Sequence, residues 1–352
     1  MDDKSESPGW DAIDAALAPL YAGVEPKHYA APLPAMLGGP DPLHGISAYL
    51  RTEPVPHWHF ITYGFSELFA KEWENPAISG WGFELTFRLA CAPDAQEPPA
   101  WAINFLQNMG RYVFKSGNAF AAGHYMNLNG PIALGTETAI RSIAFLDDPE
   151  LPPIDTPHGK LAFLQVVGIT LDEELALKQW STLEALAELR PYLPLMVTDL
   201  ARASLLQEPA VAAALREGAG RDGSNTGSLF IDQLGWQKRD NFFGGAAYTL
   251  VMGARQISEL QALMPYRLPF DRELRLMGRE ARITLQPGPA VSIQEAEGAL
   301  TVTLDAAALA VFRDTVQPRI GAYRLSAKPE LLLEVRRTEI KDPQGKVIET
   351  IG

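Results

Sequence analysis

Apolar and polar residues alternate most regularly between Gly80 and Ala90. Trp81, Phe83, Leu85, Phe87 and Leu89 share one parity, and Gly82, Glu84, Thr86 and Arg88 share the other. A period of two predicts a strand with one apolar face and one mixed face. Upstream, His57-Trp58-His59-Phe60-Ile61-Thr62-Tyr63 is crowded with aromatic and β-branched residues and is also predicted to be extended. Gly64 and Ser66 would end that strand, with Ser66 capping a short helix through Trp73. Residues 161–169 are apolar on both faces apart from Gln165, the pattern of a central strand. Shorter strands are predicted at 124–128, 140–146 and 195–200.

Helical periodicity marks other stretches. Trp10, Ile13, Leu17 and Leu20 fall on one face, with Asp11 and Asp14 near the start and Pro19 at the end. Pro98-Pro99 opens a helix carrying Trp101, Phe105, Met109 and Tyr112, closed by Gly117. Thr170 with Glu173, and Ser181 with Glu184, form two capping boxes that predict helices at 171–179 and 182–190. Residues 31–56 are rich in proline and glycine and read as an irregular surface segment. A helix at 209–217 is closed by Gly218.

The stretch 218–228 holds four glycines and no large apolar residue until it ends, which makes it the linker. Beyond it, strands dominate. They are predicted at 248–252, as a hairpin at 273–277 and 281–285, at 300–304, and as a terminal hairpin of 331–340 and 347–351 across Asp342-Pro343-Gln344-Gly345. Asp305 caps one helix with Leu309, Phe312 and Val316 on its inner face. The prediction is therefore an α+β fold in two domains. Residues 1–217 build a mixed sheet flanked by helices, 218–228 link, and 229–352 build a smaller, β-rich α+β domain.

Composition supports two packed bodies. The chain has 352 residues, beyond the ~250–300 at which a single core stops growing. Hydrophobic residues make up 47% and charged residues 21%, which argues against disorder. The net charge of −13 disfavours nonspecific binding to nucleic acid or to an anionic membrane. It suits a basic protein partner, although an acidic balance is also ordinary for soluble proteins. One cysteine, Cys91, excludes an intrachain disulfide and fits a reducing compartment. The leader Met1-Asp2-Asp3-Lys4-Ser5-Glu6 lacks the apolar core of a signal peptide. No stretch reaches the ~18 apolar residues of a membrane span. A soluble, cytoplasmic protein is expected.

Candidate chemistry is sparse. His57 and His59 are two apart on a strand, so both face one way. They could hold a metal with Glu67 or His44, which is the enzymatic alternative; the other reading is a hydrogen-bonded pair, since no third ligand stands at a diagnostic spacing. Gly64-Phe65-Ser66-Glu67-Leu68 lacks the second glycine of a nucleophile elbow. Gly38-Gly39 and Gly244-Gly245 are isolated pairs outside any phosphate-binding motif. Asp172-Glu173-Glu174 reads as a helix N-terminus, Trp58, Trp81 and Trp101 as core, and Cys91 as an inert small residue. No cofactor and no enzymatic activity are expected.

Several ordered segments carry a family likeness: Leu37-Gly38-Gly39-Pro40-Asp41-Pro42-Leu43, His57-Trp58-His59, Tyr63-Gly64-Phe65-Ser66-Glu67-Leu68, Gly82-Phe83-Glu84-Leu85-Thr86-Phe87-Arg88-Leu89, Arg111-Tyr112-Val113-Phe114 and Phe163-Leu164-Gln165-Val166-Val167-Gly168. Over roughly residues 8–206 the chain resembles the suppressor of fused family, whose best-known members bind and restrain the Gli transcription factors. The resemblance implies the same two-domain division and a non-enzymatic, intracellular protein-binding module. It also implies a compact bacterial member, a group proposed to include immunity proteins against polymorphic toxins. In Gli-binding relatives a short peptide adds as a strand in a cleft between the domains. The corresponding positions here are Tyr112, His124, Tyr125 and Met126. His124 stands where those relatives carry an aspartate that pairs with a histidine of the peptide. An imidazole supplies no fixed negative charge, so Gli-type recognition is not expected.

Overall fold

The computed structural model describes residues 6–33, 38–240, 246–341 and 346–352. The polar leader at 1–5, Leu37, the Gly244-Gly245 pair and the turn at 342–345 lie outside the described residues. The chain divides into two compact units, Met1–Leu177 with Thr182–Ala214 and Lys178–Ser181 with Leu215–Gly352. The fold is α+β.

The first unit is built on one eight-stranded sheet. Its strands are β1 (Lys27–Ala30), β2 (Gly45–Arg51), β3 (His57–Tyr63), β4 (Ile78–Ala90), β5 (Tyr125–Asn127), β6 (Ile140–Asp147), β7 (Ile154–Thr156) and β8 (Gly159–Thr170). The order is β1-β2-β3-β4-β8-β6-β5, with β7 paired to β8. Only β4 and β8 run parallel; the other pairs are antiparallel. Helices α1 (Pro8–Leu17), α2 (Ala100–Ser116), α3 (Leu171–Gln179), α4 (Thr182–Leu189) and α5 (Pro209–Asp222) complete the first part of the chain.

The alternation on β4 does what its period requires. Phe83, Leu85 and Phe87 join Trp58 and Phe60 of β3, Val166 of β8 and Phe145 of β6 in a core closed by Phe105, Leu106, Met109 and Val113 of α2. Gly117 ends α2 in the left-handed region, at φ 74°, and donates its N–H to Val113 O. The capping box is formed at Thr170, whose N–H donates to Glu173 Oε2 at 2.9 Å.

The mixed face of β4 is interior as well: Glu84, Thr86 and Arg88 are all fully buried. Ile13, Leu17 and Tyr21 help to cover that side of the sheet, packed with Ile61, Tyr63 and Phe163. Three local expectations are corrected. Residues 66–73 form bends and irregular backbone rather than a helix, because Ser66 donates its N–H and its hydroxyl to Glu84 Oε1 at 2.9 and 2.7 Å. Residues 31–56 contain β2, whose apolar positions Ile46 and Ala48 enter the core despite the surrounding prolines. Residues 195–200 form no strand. Leu195 and Met196 take φ of 50° and 54°, and both carbonyls accept from Gln165 Nε2 at 2.9 Å. Thr198 alone bridges to Leu89.

The second unit holds β9 (Ser228–Phe230), β10 (Leu234–Asp240), β11 (Ala246–Gly253), β12 (Leu274–Met277), β13 (Arg282–Pro287), β14 (Ser292–Ala296), β15 (Ala299–Leu304), β16 (Gly321–Ala327), β17 (Glu330–Arg336), β18 (Thr338–Lys341) and β19 (Val347–Ile351), with α6 (Ala254–Leu263) and α7 (Ala306–Thr315). They form a five-stranded sheet, β14-β15-β13-β12-β9, a four-stranded sheet, β10-β11-β17-β16, and the pair β18-β19. Asp305 caps α7 by accepting from Ala308 N at 2.8 Å. The run 331–340 is divided: β17 pairs with β11 and β16, and only β18 joins the terminal hairpin. Helix α5 continues through Asp222, and buried Ser224 donates its N–H to Tyr266 O at 2.6 Å. The glycines from 218 therefore begin in a helix and end tied to the second unit's interior. No described helix is long and apolar enough to cross a membrane.

Leu85 has no exposed surface and sits at the centre of the α2-side core. Leu85→Ala is expected to cost ~2–5 kcal/mol through lost burial and the cavity left behind. Denaturant titration checks this, and a midpoint within error of the parent would show that the site collapses without cost.

Candidate functional site

Two groups of residues bear on function. The first is the buried polar layer on the face of β4 opposite α2. Arg88 donates from Nη1 to Asp148 Oδ2 at 2.6 Å and from Nη2 to Asp148 Oδ1 at 3.1 Å. Its Nη2 also reaches Glu150 Oε2 at 2.9 Å, and its Nη1 donates to Gln165 Oε1. Asp148 further accepts from Thr86 Oγ1 at 2.6 Å and from the N–H groups of Glu150 and Leu151. Although burial alone would raise the Asp148 pKa, these donors and the adjacent guanidinium hold it well below the usual carboxylate range.

His57 and His59 belong to this layer and are fully buried. His57 Nδ1–H donates to Val55 O at 2.7 Å. His59 Nδ1 faces the Tyr21 hydroxyl, which burial keeps protonated, so the phenol donates and the imidazole accepts. His59 Nε2 lies 3.4 Å from Asp148 Oδ2, long for a hydrogen bond. Burial and the Arg88 charge push the His59 pKa down to about 4. Asp148 already has its cation, so the imidazole stays neutral. The two suggested completing ligands are engaged elsewhere. Glu67 binds Lys71 and the N–H groups of Trp73 and Gly80, and His44 packs edge-on against Phe69. Among the described residues no group of three or more His, Cys, Asp or Glu could hold a metal ion. Ser66, the serine of the incomplete elbow motif, spends its hydroxyl on Glu84.

The second group surrounds β5. This strand is the last in the sheet order, paired antiparallel to β6 through Tyr125↔Ala144, Met126↔Ile143 and Asn127↔Ser142. Gly123, at φ 88°, makes the approach to the strand and donates to Phe145 O at 2.8 Å. His124 is exposed, and its carbonyl accepts from Phe145 N at 2.9 Å. Met126 packs on the α2-side core. Tyr112, on α2, is 38% exposed and stacks on Phe120 with centroids 5.5 Å apart; Phe120 stacks on Phe145 at 4.3 Å. Phe145 thus joins the predicted residues: its ring supports the Tyr112 column and its backbone pairs with the approach to β5.

Residues outside the sequence reading fix this rim. Asn127 Nδ2 and Ser142 Oγ both donate to Glu174 of α3, the former at 2.8 Å. Arg202 grips Glu173 with both terminal nitrogens, at 2.6 and 2.7 Å, and donates to Gly168 O. Asp172 accepts from Thr170 and Ser204. The acidic run 172–174 is thus three separate anchors. Its signal was three carboxylates in a first turn, more than a macrodipole needs.

The neutral buried His59 makes stability depend on pH. An unfolded histidine titrates near 6.5 and the folded one near 4, so the unfolded chain binds more protons between those values. The contribution is complete above pH 6.5 and is lost as pH falls toward 4, amounting to about 3 kcal/mol. Thermal melts across that window should show a shallower loss in His59→Gln than in the parent. An identical pH slope in the two proteins would mean that the folded imidazole carries a charge.

Residues 39–203 match the family model of the suppressor of fused protein. The chain is 34% identical over 206 residues to the suppressor of fused homolog of Homo sapiens, covering 54% of this chain and 42% of that protein. It therefore spans less than half of that relative's length. The crystal structure of Drosophila Suppressor of Fused superimposes with a TM-score of 0.78 at 22% identity, covering 95% of this chain and 99% of that one. A chain of the Sufu–Fu complex crystal structure gives 0.56 at 31% identity, covering 60% and 98%. With the polar layer, the β5 rim and these matches all falling on the same segments, the chain belongs to the suppressor of fused family.

Proposed function

We propose that this protein is a non-enzymatic binding module, cytoplasmic and bacterial, that takes an extended segment of a partner protein along β5. The terminal place of β5 in the sheet order carries the proposal. A terminal strand accepts a further strand through main-chain hydrogen bonds, while neighbouring side chains choose the sequence. Tyr112, His124, Tyr125 and Met126 are the side chains assigned to that choice. The Phe120–Phe145 column and the Glu174 anchor hold the strand in place before a partner arrives, which lowers the ordering cost of binding. The Sufu–Fu complex supports a protein as the kind of ligand. Residues 1–214 carry 26 acidic against 12 basic side chains, whereas 215–352 carry 17 against 18. The acid excess thus lies in the part of the chain that holds β5 and suits a basic partner, as an immunity protein neutralising a toxin would require.

Calorimetric titration with a histidine-bearing Gli-derived peptide tests the assignment of His124. The parent chain is expected to bind it weakly. His124→Asp should gain affinity by about tenfold, the worth of one restored charge-assisted contact. Tight binding by the parent would overturn the charge argument. A variant that gains nothing would remove His124 from the peptide-contacting positions.

A further inference from the structure

We propose that Trp73, Trp81 and Phe114 form a second binding surface, a platform that seats an arginine-bearing basic segment of a partner protein. The surface is separate from β5 and does not depend on the assignment made there.

The three rings are contiguous, with Trp73 and Phe114 exposed on either side of a half-buried Trp81. Trp73 meets Trp81 edge-to-face at 5.0 Å and 66°, and Trp81 meets Phe114 at 5.7 Å and 70°. Trp73 is 43% exposed and Phe114 45%. Edge-to-face packing sets neighbouring rings at steep angles and covers one face of each pair, and the ring faces that stay exposed carry the negative part of the quadrupole. Exposed neighbours Phe69 and Ile78 enlarge the apolar surface of this unit. Single exposed aromatics are ordinary; two exposed rings joined through a half-buried third make a contiguous surface of the kind an interaction site uses.

Local charge selects a cation over an apolar or acidic occupant. Residues 71–78 are exposed throughout, and Glu72 and Glu74 flank Trp73. Phe114 lies in the last turn of α2, where unpaired carbonyls make the helix end partially negative. The cations nearby are mostly spent. Lys71 is held by Glu67 and by Ile78 O, both at 2.6 Å. Arg111 is paired with Asp41 and Asn108. Lys115, exposed beside Phe114, is the one opposing charge in this set. Arginine fits better than lysine because its planar guanidinium stacks on a ring while its edge donates to carboxylates.

The probe is an N-acetylated hexa-arginine amide titrated into the full chain at near-physiological salt, read by calorimetry and tryptophan fluorescence. Hexa-lysine and hexa-glutamate serve as comparisons. Arginine is expected to bind more tightly than lysine, and glutamate not at all. Trp73→Ala should weaken arginine binding by about tenfold, Trp73→Phe should restore part of the loss, and Glu72→Gln with Glu74→Gln should weaken it severalfold. The arginine series is scored on Trp73, Glu72 and Glu74 alone, so failure at β5 and failure here give different patterns. Equal binding by the parent and Trp73→Ala, equal binding of arginine and lysine, or no binding of the arginine peptide would each overturn the proposal.

Discussion

The Arg88–Asp148 pair, both side chains without exposed surface, is the constraint on which the first unit's sheet depends. A guanidinium removed from water is costly unless its charge and most of its donors are matched. Here both terminal nitrogens reach Asp148, Glu150 and Gln165, and Nε is left without a partner among the described residues. Each acceptor commits another element. Gln165 fixes the turn at Leu195 and Met196 through its one amide nitrogen, Nε2. Glu150 also accepts from Arg51 of β2, and Asp148 fastens the chain leaving β6. A one-residue slip of β4 would move Arg88 into the apolar side against α2 and Phe87 into the polar layer. Such a pair need not add net stability over a hydrophobic substitute. Its clear consequence is register, because one arrangement satisfies the charges and the neighbouring ones strand them.

The same polar layer accounts for the histidines. Two imidazoles on one side of a strand are a metal-site pattern in sequence, yet here both nitrogens facing polar groups are set by Val55 and Tyr21. Arg88 repels any further positive charge at His59. Glu84 shows the opposite balance. Burial raises its pKa to about 6 even though Thr62, Gly64 and Ser66 all donate to it. This carboxylate ties the end of β3 and the residues after it to the middle of β4, and it replaces the helix that Ser66 would otherwise have capped.

Reading the sequence alone reaches some of this and stops for identifiable reasons. Alternation on β4 reveals which side chains share a face, because the period of two is a property of the backbone. It does not reveal that Glu84, Thr86 and Arg88 are buried, since their cover comes from α1 and from segments after β6. Residues 195–200 have a strand's composition, but the Gln165 amide holds two of them at positive φ, a cost no local propensity records. For the candidate site, Tyr112, His124, Tyr125 and Met126 were proposed through the family resemblance. Phe120, Asn127 and Glu174 were not, because each works through a partner distant in sequence. Binding surfaces have no local code, whereas cores have one in their periodicity.

Charge placement is the step that links the frame to a partner. Several acids of residues 1–214 are consumed internally: Glu67, Glu84, Asp148, Glu173 and Glu174 are buried and bonded. Basic residues there are consumed as well, since Arg51, Lys71, Arg88, Arg111 and Arg202 all lie in ion pairs. These pairings draw on both signs, and the acid excess that remains is carried by exposed side chains. Exposed charge of one sign does little for folding and is screened beyond about 8 Å at physiological salt. It raises the encounter rate of an oppositely charged partner and discourages partners of like charge. The interior ion pairs therefore set shape while the unpaired surface acids set who approaches.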